Sequence, residues 1–374
     1  MRTKEGETEL KVPEIEEDKF PPSSSGVFFN PRMESNRDLT IACVKANSPQ
    51  KFFDAHSATG AKAIRVANEV SNDISVFACD WSKDAIEFIE KNREINQVGN
   101  VKIINQDNRI PLHKNKFDFI DLDPFGSPVP FLDASIESLI GEGILAITAT
   151  DTAPLCGSHI KAGLRRYGAR TLRTPYHKEV GLRTLLGKVI RKGAEKDKAL
   201  IPQLSYYQNH YFRAYMKNKK GAEASDKLIE QIGVIQHCFG CGNRVIVKGY
   251  LPNLDEKCRC GKKYKNAGPL FLGELGDKGF IKQLIEQLEK DEIKTKEENQ
   301  ELLQTRLQEV DFPPTFYDIH KACKRLSTSA PKTKSLLKKL REKGFRATKT
   351  HFEPTGIKTD TSINELNKVI RSFN

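Results

Sequence analysis

The segment Asp123-Pro124-Phe125-Gly126 places a carboxylate, a rigid proline and an aromatic ring side by side. It follows the apolar run 117–122, so Asp123 comes where a buried strand would end. An aromatic ring can stack on a base, and a carboxylate accepts a hydrogen bond from an exocyclic amine. The proline restricts the turn between the two side chains. The combination predicts a site for a flipped base, whereas a simple core position for Phe125 is the alternative.

Asp54 and Asp80 also stand at the ends of apolar runs. Asp54 begins a loop of small residues that ends at Gly60, where a ligand can approach the backbone closely. Asp80 follows Gly60 by 20 residues, a spacing at which a carboxylate typically accepts hydrogen bonds from ribose hydroxyls. The alternative is a helix cap, formed by Asp80 or by Ser82. The loop matches neither GxGxxG nor GxxxxGK[ST], which disfavours binding of a nucleoside triphosphate.

A third polar loop, Gln106-Asp107-Asn108, follows the apolar run 101–104. Side-chain or backbone acceptors at this position can read the exocyclic amine of adenine. A plain turn formed by Asp107 and Asn108 is the alternative. The other loops favour the ligand-binding interpretation.

The elements that would position these residues alternate regularly over 51–151. Helical patterns at 60–70 and 83–97 separate the apolar runs, which predicts a mainly parallel sheet with helices on both faces. Ligands bind at the carboxyl ends of such strands, so the polar loops are expected to meet at one edge. The predicted strands are 52–55, 74–79, 101–104, 117–122 and 144–147.

Four cysteines form two close pairs, Cys238 with Cys241 and Cys258 with Cys260, separated by 16 residues. This spacing predicts a tetrahedral site for a structural zinc ion. The second pair is C-x-C rather than C-x-x-C, and His237 is an alternative ligand. Two disulfides are the other alternative, which an intracellular setting disfavours.

The remaining chain predicts further elements and a nonregular N-terminal arm. The arm is polar and contains a loop at 21–26. Two helices and a basic strand at the end of the chain resemble a winged-helix arrangement. Helices are predicted at 38–46, 180–192, 278–307, 317–326 and 333–344, and strands at 211–215 and 345–352.

The 374-residue chain has a formal net charge of +12, concentrated in two stretches. Residues 313–374 hold 14 Lys/Arg against 5 Asp/Glu, and residues 155–198 hold 12 against 3. Such stretches favour a polyanionic partner, most simply a nucleic acid, over a merely solvated surface. No apolar run is long enough for a membrane span, and the N-terminus lacks a secretory signal. A cytoplasmic protein with no membrane partner and no obligate protein partner is expected.

Six motifs in this sequence resemble a known family. They are FFNPRM (28–33), SATG (57–60), DLDPFGSP (121–128), TDTAPLCG (150–157), RRYGA (165–169) and EVGLR (179–183). Together they resemble the tRNA guanine-26 N2-dimethyltransferase family, in particular its archaeal-type members. The resemblance covers roughly residues 25–350, and the Asp-Pro-Phe-Gly segment is its most specific part.

The resemblance implies S-adenosyl-L-methionine as cofactor. Arg37 and Arg65 would hold its methionine carboxylate, Asp80 its ribose, and Asp54 would lie near the sulfonium and amino groups. The full set that the resemblance implies for the cofactor is Arg37, Asp54, Arg65, Asp80, Asp107 and Asn108.

The resemblance also implies the substrate and the reaction. Phe28 and Phe125 would sandwich a guanine extruded from tRNA, with Pro124 between the ring and Asp123. Asp123 would face the N2 amine, whose lone pair is delocalised into the ring, and would localise it for attack on the methyl group. The product would be N2-methyl- and N2,N2-dimethylguanosine at position 26. His56, Lys62 and Pro154 depart from the family pattern.

The implied architecture is an α/β, Rossmann-like, S-adenosylmethionine-dependent methyltransferase domain with a smaller C-terminal α+β domain. The N-terminal arm with its substrate and cofactor loop would cover 1–50, and the methyltransferase domain 51–235. The C-terminal domain, 236–374, would carry the zinc module and the winged-helix tail and would bind tRNA.

Three alternatives remain at this point. Another RNA or DNA methyltransferase for an exocyclic amine would share the site, although an adenine enzyme would favour Asp-Pro-Pro-Tyr. A cytosine C5 enzyme needs a nucleophilic thiol, for which Cys156 is the candidate. A non-catalytic zinc and winged-helix protein that binds nucleic acid would leave Asp54, Asp80 and Asp123 unexplained.

Overall fold

A computed structural model describes residues 1–14 and 26–373, so the predicted loop at 21–26 lies outside the described residues except for Gly26. The described residues contain fifteen strands. They are β1 (Arg2–Glu5), β2 (Thr8–Lys11), β3 (Lys51–Asp54), β4 (Ser75–Asp80), β5 (Val101–Asn105), β6 (Phe117–Leu122), β7 (Leu139–Ala149), β8 (Lys198–Gln208), β9 (Tyr211–Lys220), β10 (Ile232–His237), β11 (Arg244–Lys248), β12 (Lys265–Phe271), β13 (Tyr317–Asp318), β14 (Ala347–Lys349) and β15 (Gly356–Thr359).

The same residues contain fourteen α-helices and two short 3₁₀ helices, Pro31–Met33 and Val129–Phe131. The α-helices are α1 (Glu34–Asn47), α2 (Ala61–Glu69), α3 (Lys83–Ile95), α4 (Arg109–Lys114), α5 (Leu132–Ser138), α6 (Thr152–Leu155), α7 (Ile160–Tyr167), α8 (His177–Ala194), α9 (Ala222–Ile229), α10 (Lys278–Lys290), α11 (Lys296–Glu309), α12 (Ile319–Leu326), α13 (Thr333–Glu342) and α14 (Ile363–Arg371). None of the helices in the described part is long and apolar enough to span a membrane.

The chain divides into two compact units, each assembled from separate stretches. The first comprises Met1–Thr148, Tyr215–Lys220 and Gly279–Gln304. The second comprises Ala149–Ala214, Gly221–Lys278 and Thr305–Asn374. The three consecutive domains expected from the sequence stay a prediction.

A parallel sheet is the centre of the first unit. Its strands follow the order β5-β4-β3-β6-β7, and every one of these pairings is parallel. The phenylalanines of β3 and β6 are fully buried, as expected for strands covered on both faces. The predicted α/β alternation is therefore confirmed. Because the chain runs outwards from β3 to β5 and then returns to β6, the order reverses between β3 and β6, which is where such sheets bind ligands.

The N-terminal arm contains more regular structure than its polar composition indicated. The strands β1 and β2 form an antiparallel hairpin, and Leu10 and Val12 join Phe29 and Ala61 in a small buried cluster. The apolar positions in the arm are few, so their pattern alone did not reveal the hairpin. The helix predicted at 38–46 is present and begins earlier, at Glu34.

The second unit contains the cysteine segment and the basic tail. An antiparallel sheet of order β11-β10-β12 carries the cysteines, and a sheet of order β13-β15-β14 lies in the tail. The tail has its own core, which includes Ile319, Leu336, Leu340 and Ile357. The expected order of helix, helix and strand is present in α12, α13 and β14, and the winged-helix assignment stays a prediction. The single helical region expected at 278–307 is two helices, α10 and α11.

Candidate active site

Three carboxylates meet at the carboxyl ends of β3 and β6. Asp54 lies opposite Asp121 in the parallel register of these strands, and both side chains are buried. Asp123 follows two residues later and is partly exposed. Lys62 reaches them from the first turn of α2: its Nζ lies 3.2 Å from Asp121 Oδ1 and also contacts Asp123 Oδ2. The predicted meeting of strand-end carboxylates is thus observed for Asp54 and Asp123, with Asp121 as an unforeseen third member.

Asp54 is electrostatically strained. Burial raises the pKa of Asp54 to about 7, and the negative charges of Asp121 and Asp123 raise it further while Lys62 opposes them. Among the described residues, Asp54 Oδ1 has no hydrogen-bond partner although it is buried. An unpartnered buried acceptor is costly, so this atom is suited to a donor or cation on a ligand.

Asp80 ties the loop after β3 to the loop after β4. The backbone N–H groups of Ala58 and Ser82 each donate to its carboxylate, both at 2.9 Å. Ser82, not Asp80, caps α3, because its hydroxyl accepts from the N–H of Ala85. Gly60 has a φ of 78°, a conformation that glycine adopts without strain, and it ends this loop where α2 begins. The cap alternative therefore applies to Ser82 alone.

Asp107 and Asn108 follow β5 but have different surroundings. Asp107 accepts from the backbone and side chain of Arg109, whose hydrogen bonds lower the pKa of Asp107 to about 2. Asn108 Nδ2 donates to the carbonyl of Ala55 at 2.9 Å and lies 3.0 Å from His56 Nε2. Burial lowers the pKa of His56 to about 4, so its ring is neutral near pH 7.

Two further buried polar atoms at this edge, Asn108 Oδ1 and His56 Nδ1, lack partners within the described part of the chain. With Asp54 Oδ1 they make three unsatisfied groups on neighbouring loops. Buried polar groups are normally hydrogen-bonded, so this concentration indicates a polar ligand that supplies the missing partners.

Phe125 is not a core residue, because 76% of its surface is exposed. Its ring lies edge-on to that of Phe28, with 4.7 Å between the ring centroids. A base stacked between two rings needs roughly 7 Å, twice the usual contact distance between carbon atoms. The structure therefore brings the two predicted rings together, but they must separate before a base can enter.

Arg37 and Arg65 are both bound to acidic side chains. Arg37 donates to both carboxylate oxygens of Glu5 and to the carbonyl of Asn30. Arg65 is fully buried, donating through Nη1 to Asp38 and through Nε and Nη2 to Glu69, and these partners raise its pKa. A cofactor carboxylate could bind to either guanidinium only by sharing or replacing these partners, so their predicted role stays a prediction.

A cavity of about 550 Å³ lies beside Arg65 rather than at the strand ends. Acidic and basic side chains alternate around it, including Asp38, Glu69, Lys45 and Lys294. This mixture favours no single class of ligand. We therefore base the site on the unsatisfied groups at the strand ends and not on the size of the cavity.

Sequence reasoning missed three residues of this region. Lys62 was noted only as a departure from a pattern, and Asp121 was considered part of the strand. Trp81 directly follows Asp80 and is 81% exposed, which is unusual for so large an apolar side chain. Its position beside a predicted ribose-binding carboxylate was the signal that could have identified it.

The cysteine candidates are close enough to bind one metal ion. The Sγ atoms of all four lie within 4.8 Å of one another, and none of the four is in a disulfide. Tetrahedral zinc with sulfur ligands at about 2.3 Å requires comparable sulfur–sulfur distances. His237 is not a fifth candidate, because its Nδ1 pairs with the hydroxyl of Tyr176.

Cys156 does not suit the cytosine C5 alternative. It is buried, and burial raises the pKa of its thiol to about 12. The thiolate is the nucleophilic form, and it would be scarce at neutral pH.

Comparisons with known proteins agree with these observations. A family model described as N2,N2-dimethylguanosine tRNA methyltransferase matches residues 6–371. The tRNA (guanine(26)-N(2))-dimethyltransferases of Methanosarcina barkeri and Methanosarcina mazei are 38% and 39% identical, with at least 97% of each chain covered. The structure of Trm1 from Pyrococcus horikoshii with S-adenosyl-L-methionine is 35% identical, with a TM-score of 0.89 and 99% of both chains covered.

Proposed function

The chain belongs to the N2,N2-dimethylguanosine tRNA methyltransferase family, and from that premise we propose that it methylates the N2 amine of guanine 26 in tRNA. The observation that carries the proposal is the position of Asp123 at the carboxyl end of β6, next to the exposed ring of Phe125. A carboxylate and an aromatic ring in adjacent positions suit an amine on a stacked base. The resemblance inferred from the sequence is confirmed at the level of the family.

The residues at the strand ends fit S-adenosyl-L-methionine. The unsatisfied acceptors Asp54 Oδ1 and Asn108 Oδ1 would take donors or positive charge from the cofactor, and Asp80 would accept from its ribose. Trp81 would offer its exposed ring to the adenine. When bound, the cofactor supplies an electrophilic methyl group on a positively charged sulfur. Everything else in the reaction falls to the side chains of this chain and to the base.

Asp123 would act on the amine of the base. The N2 lone pair is delocalised, so the amine attacks poorly unless a hydrogen bond localises it. A carboxylate that accepts this hydrogen bond also takes the proton when the new N–C bond forms. Phe125 and Phe28 would hold the ring so that the amine faces Asp123, and Pro124 keeps the distance between ring and carboxylate constant.

The dimethylated product requires a second round at the same site. After the first transfer the amine keeps one N–H, and the methylated base must turn or rebind so that this N–H faces Asp123. The exposed position of Phe125 would allow such a rearrangement without opening the core. We therefore expect both N2-methylguanosine and N2,N2-dimethylguanosine, the first as an intermediate.

Contacts with tRNA would come from the second unit. Exposed basic residues lie on α7 and on α13, among them Lys161, Arg165, Lys334 and Lys338. They would bind phosphates, which position RNA without reading its sequence. The cysteine cluster would hold a structural zinc ion that stabilises the β10–β12 sheet.

The direct test uses an unmodified tRNA transcript and labelled S-adenosyl-L-methionine. Digestion of the RNA and separation of the nucleosides identifies the labelled base. We expect N2-methylated guanosine, and no label when guanine 26 is replaced. Label on another base would leave a methyltransferase with a different target. No label, together with no binding of the cofactor in a calorimetric titration, would favour a non-catalytic nucleic-acid-binding protein.

Replacing Phe125 tests the stacking role. Phe125→Ala is expected to raise KM for tRNA roughly 5- to 100-fold, because stacking of one base on an aromatic ring contributes about 1–3 kcal/mol. Phe125→Tyr keeps the stacking surface and should stay near the wild type. KM for the cofactor should change little in both variants. An unchanged KM for tRNA in Phe125→Ala would contradict the sandwich.

The affinity for the cofactor is expected to depend on pH through Asp54. Burial raises the pKa of Asp54 to about 7, so the folded protein holds this proton below neutral pH. A cationic ligand favours the ionised form, so affinity should increase about tenfold between pH 6 and pH 8. Calorimetric titration measures it.

Two controls isolate the contribution of Asp54. Asp54→Asn should bind weakly and lose this part of the pH dependence. S-Adenosylhomocysteine has the same amino group but no positive sulfur, so its affinity should change less with pH. Equal pH profiles for the wild type and Asp54→Asn would exclude this role of Asp54.

A further inference from the structure

Lys62 lies among carboxylates in a place with little water. Its side chain is 10% exposed, and its ammonium contacts Asp121 and Asp123 together. Asp121 is fully buried, whereas the side chain of Asp123 is 17% exposed. Asp54 completes the cluster and interacts electrostatically with all three.

We propose that Lys62 is a positioning residue that keeps Asp123 ionised and oriented towards the amine of the base. The proposal rests on the proposed function, because it concerns the group that would accept the N2 proton. It extends that function by assigning a role to a residue that touches neither the base nor the cofactor in the argument above.

The reason is the repulsion between neighbouring negative charges. Carboxylates that share a poorly hydrated site cannot all remain ionised without a compensating cation. Without Lys62, one of the three would take up a proton near neutral pH, and Asp123 is accessible to solvent protons. A protonated Asp123 would donate a hydrogen bond instead of accepting one, and it could not take the proton from N2.

Asp121 has the complementary role of holding Lys62. Its buried carboxylate fixes the ammonium at 3.2 Å, so that the same ammonium contacts Asp123 Oδ2. During transfer the S–CH₃ bond breaks, the N–CH₃ bond forms, and the N2 proton passes to Asp123 and then to solvent. Lys62 neither gains nor loses a proton in this step, and its charge sets which form of Asp123 the base meets.

The titratable and charged groups that face Asp123 come from three elements. They are Lys62 from α2, Asp121 from β6, Asp54 from β3 and His56 from the following loop. His56 does not replace Lys62 as a cation, since burial keeps it neutral at the pH of the assay.

The test compares the pH profiles of methyl transfer in Lys62→Met and Lys62→Arg. In Lys62→Met the acidic limb should move to higher pH by about 1–3 pH units, so that the rate at pH 7 falls at least about tenfold and recovers in more alkaline buffer. Lys62→Arg retains the positive charge and should keep the limb near its wild-type pH. Lys83→Met, an exposed lysine on α3, is the matched control.

A second measurement does not depend on methyl transfer. Lys62→Met leaves buried carboxylates without their cation, so their protons are held more tightly in the folded state and stability should fall as pH rises. Adding Asp123→Asn removes one of these charges and should restore part of the melting temperature at pH 8. If Lys62→Met does not fold, Lys62→Gln serves in both measurements.

The outcomes separate this proposal from the proposed function. A wild-type protein that transfers no label to guanine refutes the proposed function, whatever the thermal melts show. An equal fall in rate at every pH in Lys62→Met refutes the positioning role, and so does a double variant no more stable than Lys62→Met. A shifted limb with rescue by Lys62→Arg supports it.

Discussion

Asp123→Ala is expected to reduce methyl transfer to guanine by about 10²–10⁴-fold, the range of a positioned acid–base group. The loss should appear in kcat, because the group is needed when the N–C bond forms. Affinities for S-adenosyl-L-methionine and tRNA should stay close to the wild type, since Asp54 and Phe125 remain. Rapid-quench measurement of a single turnover separates the transfer step from product release.

The control variants sharpen this expectation. Asp123→Asn has the same shape but cannot accept the proton, so it should be nearly as inactive as Asp123→Ala. Asp118→Asn alters a carboxylate at the other end of the same strand, where Asp118 accepts from the backbone N–H of Lys51, and should leave transfer intact. Loss of cofactor binding in Asp123→Asn would assign this carboxylate to the cofactor instead.

Removing the metal is expected to have the second large effect, on stability. The protein should contain one zinc ion per chain, and Cys238→Ser should lose it together with on the order of 3–5 kcal/mol, because structural zinc sites contribute directly to folding. For a unit of about 150–250 residues this corresponds to a fall in melting temperature of roughly 6–20 °C. Metal analysis and thermal melts with and without a chelator measure both quantities.

The matched control is Cys323→Ser, which changes a buried cysteine of the tail core. It should lower stability but keep the zinc. Cofactor titration should be little affected in Cys238→Ser, since the cysteines belong to the second unit and the predicted cofactor residues to the first. A wild-type protein without zinc, with its cysteines protected from alkylation as disulfides, would make the zinc prediction wrong.

Local patterns in the sequence were sufficient for the central sheet. Apolar runs of strand length, separated by helical patterns, predicted β3 to β7 within a few residues, because burial on both faces leaves a continuous apolar run. The Asp-Pro-Phe-Gly segment and the two cysteine pairs were recognisable because their chemistry depends on residues close together in the chain. The hairpin of β1 and β2 escaped notice because its few buried positions contact residues far along the chain.

Charge shows the limit most clearly. Counting Lys and Arg indicated a basic surface, yet Arg183 and Lys358 are buried against Glu179, at 2.9 Å in each case. Arg37 was assigned to the cofactor by position, yet it donates to Glu5 of the N-terminal hairpin. These partners lie far apart in the chain, so no local pattern links them.

The sequence by itself determined the parallel sheet, the strand that ends at Asp123, the cysteine cluster and the family. Only the tertiary structure decided that Lys62 lies between Asp121 and Asp123 and that Asp54 is left with an unpartnered oxygen. The physical reason is range. Periodic burial and short motifs are written within a few residues, whereas the ionisation of a side chain depends on every charge and every water molecule that the folded chain places near it or removes from it.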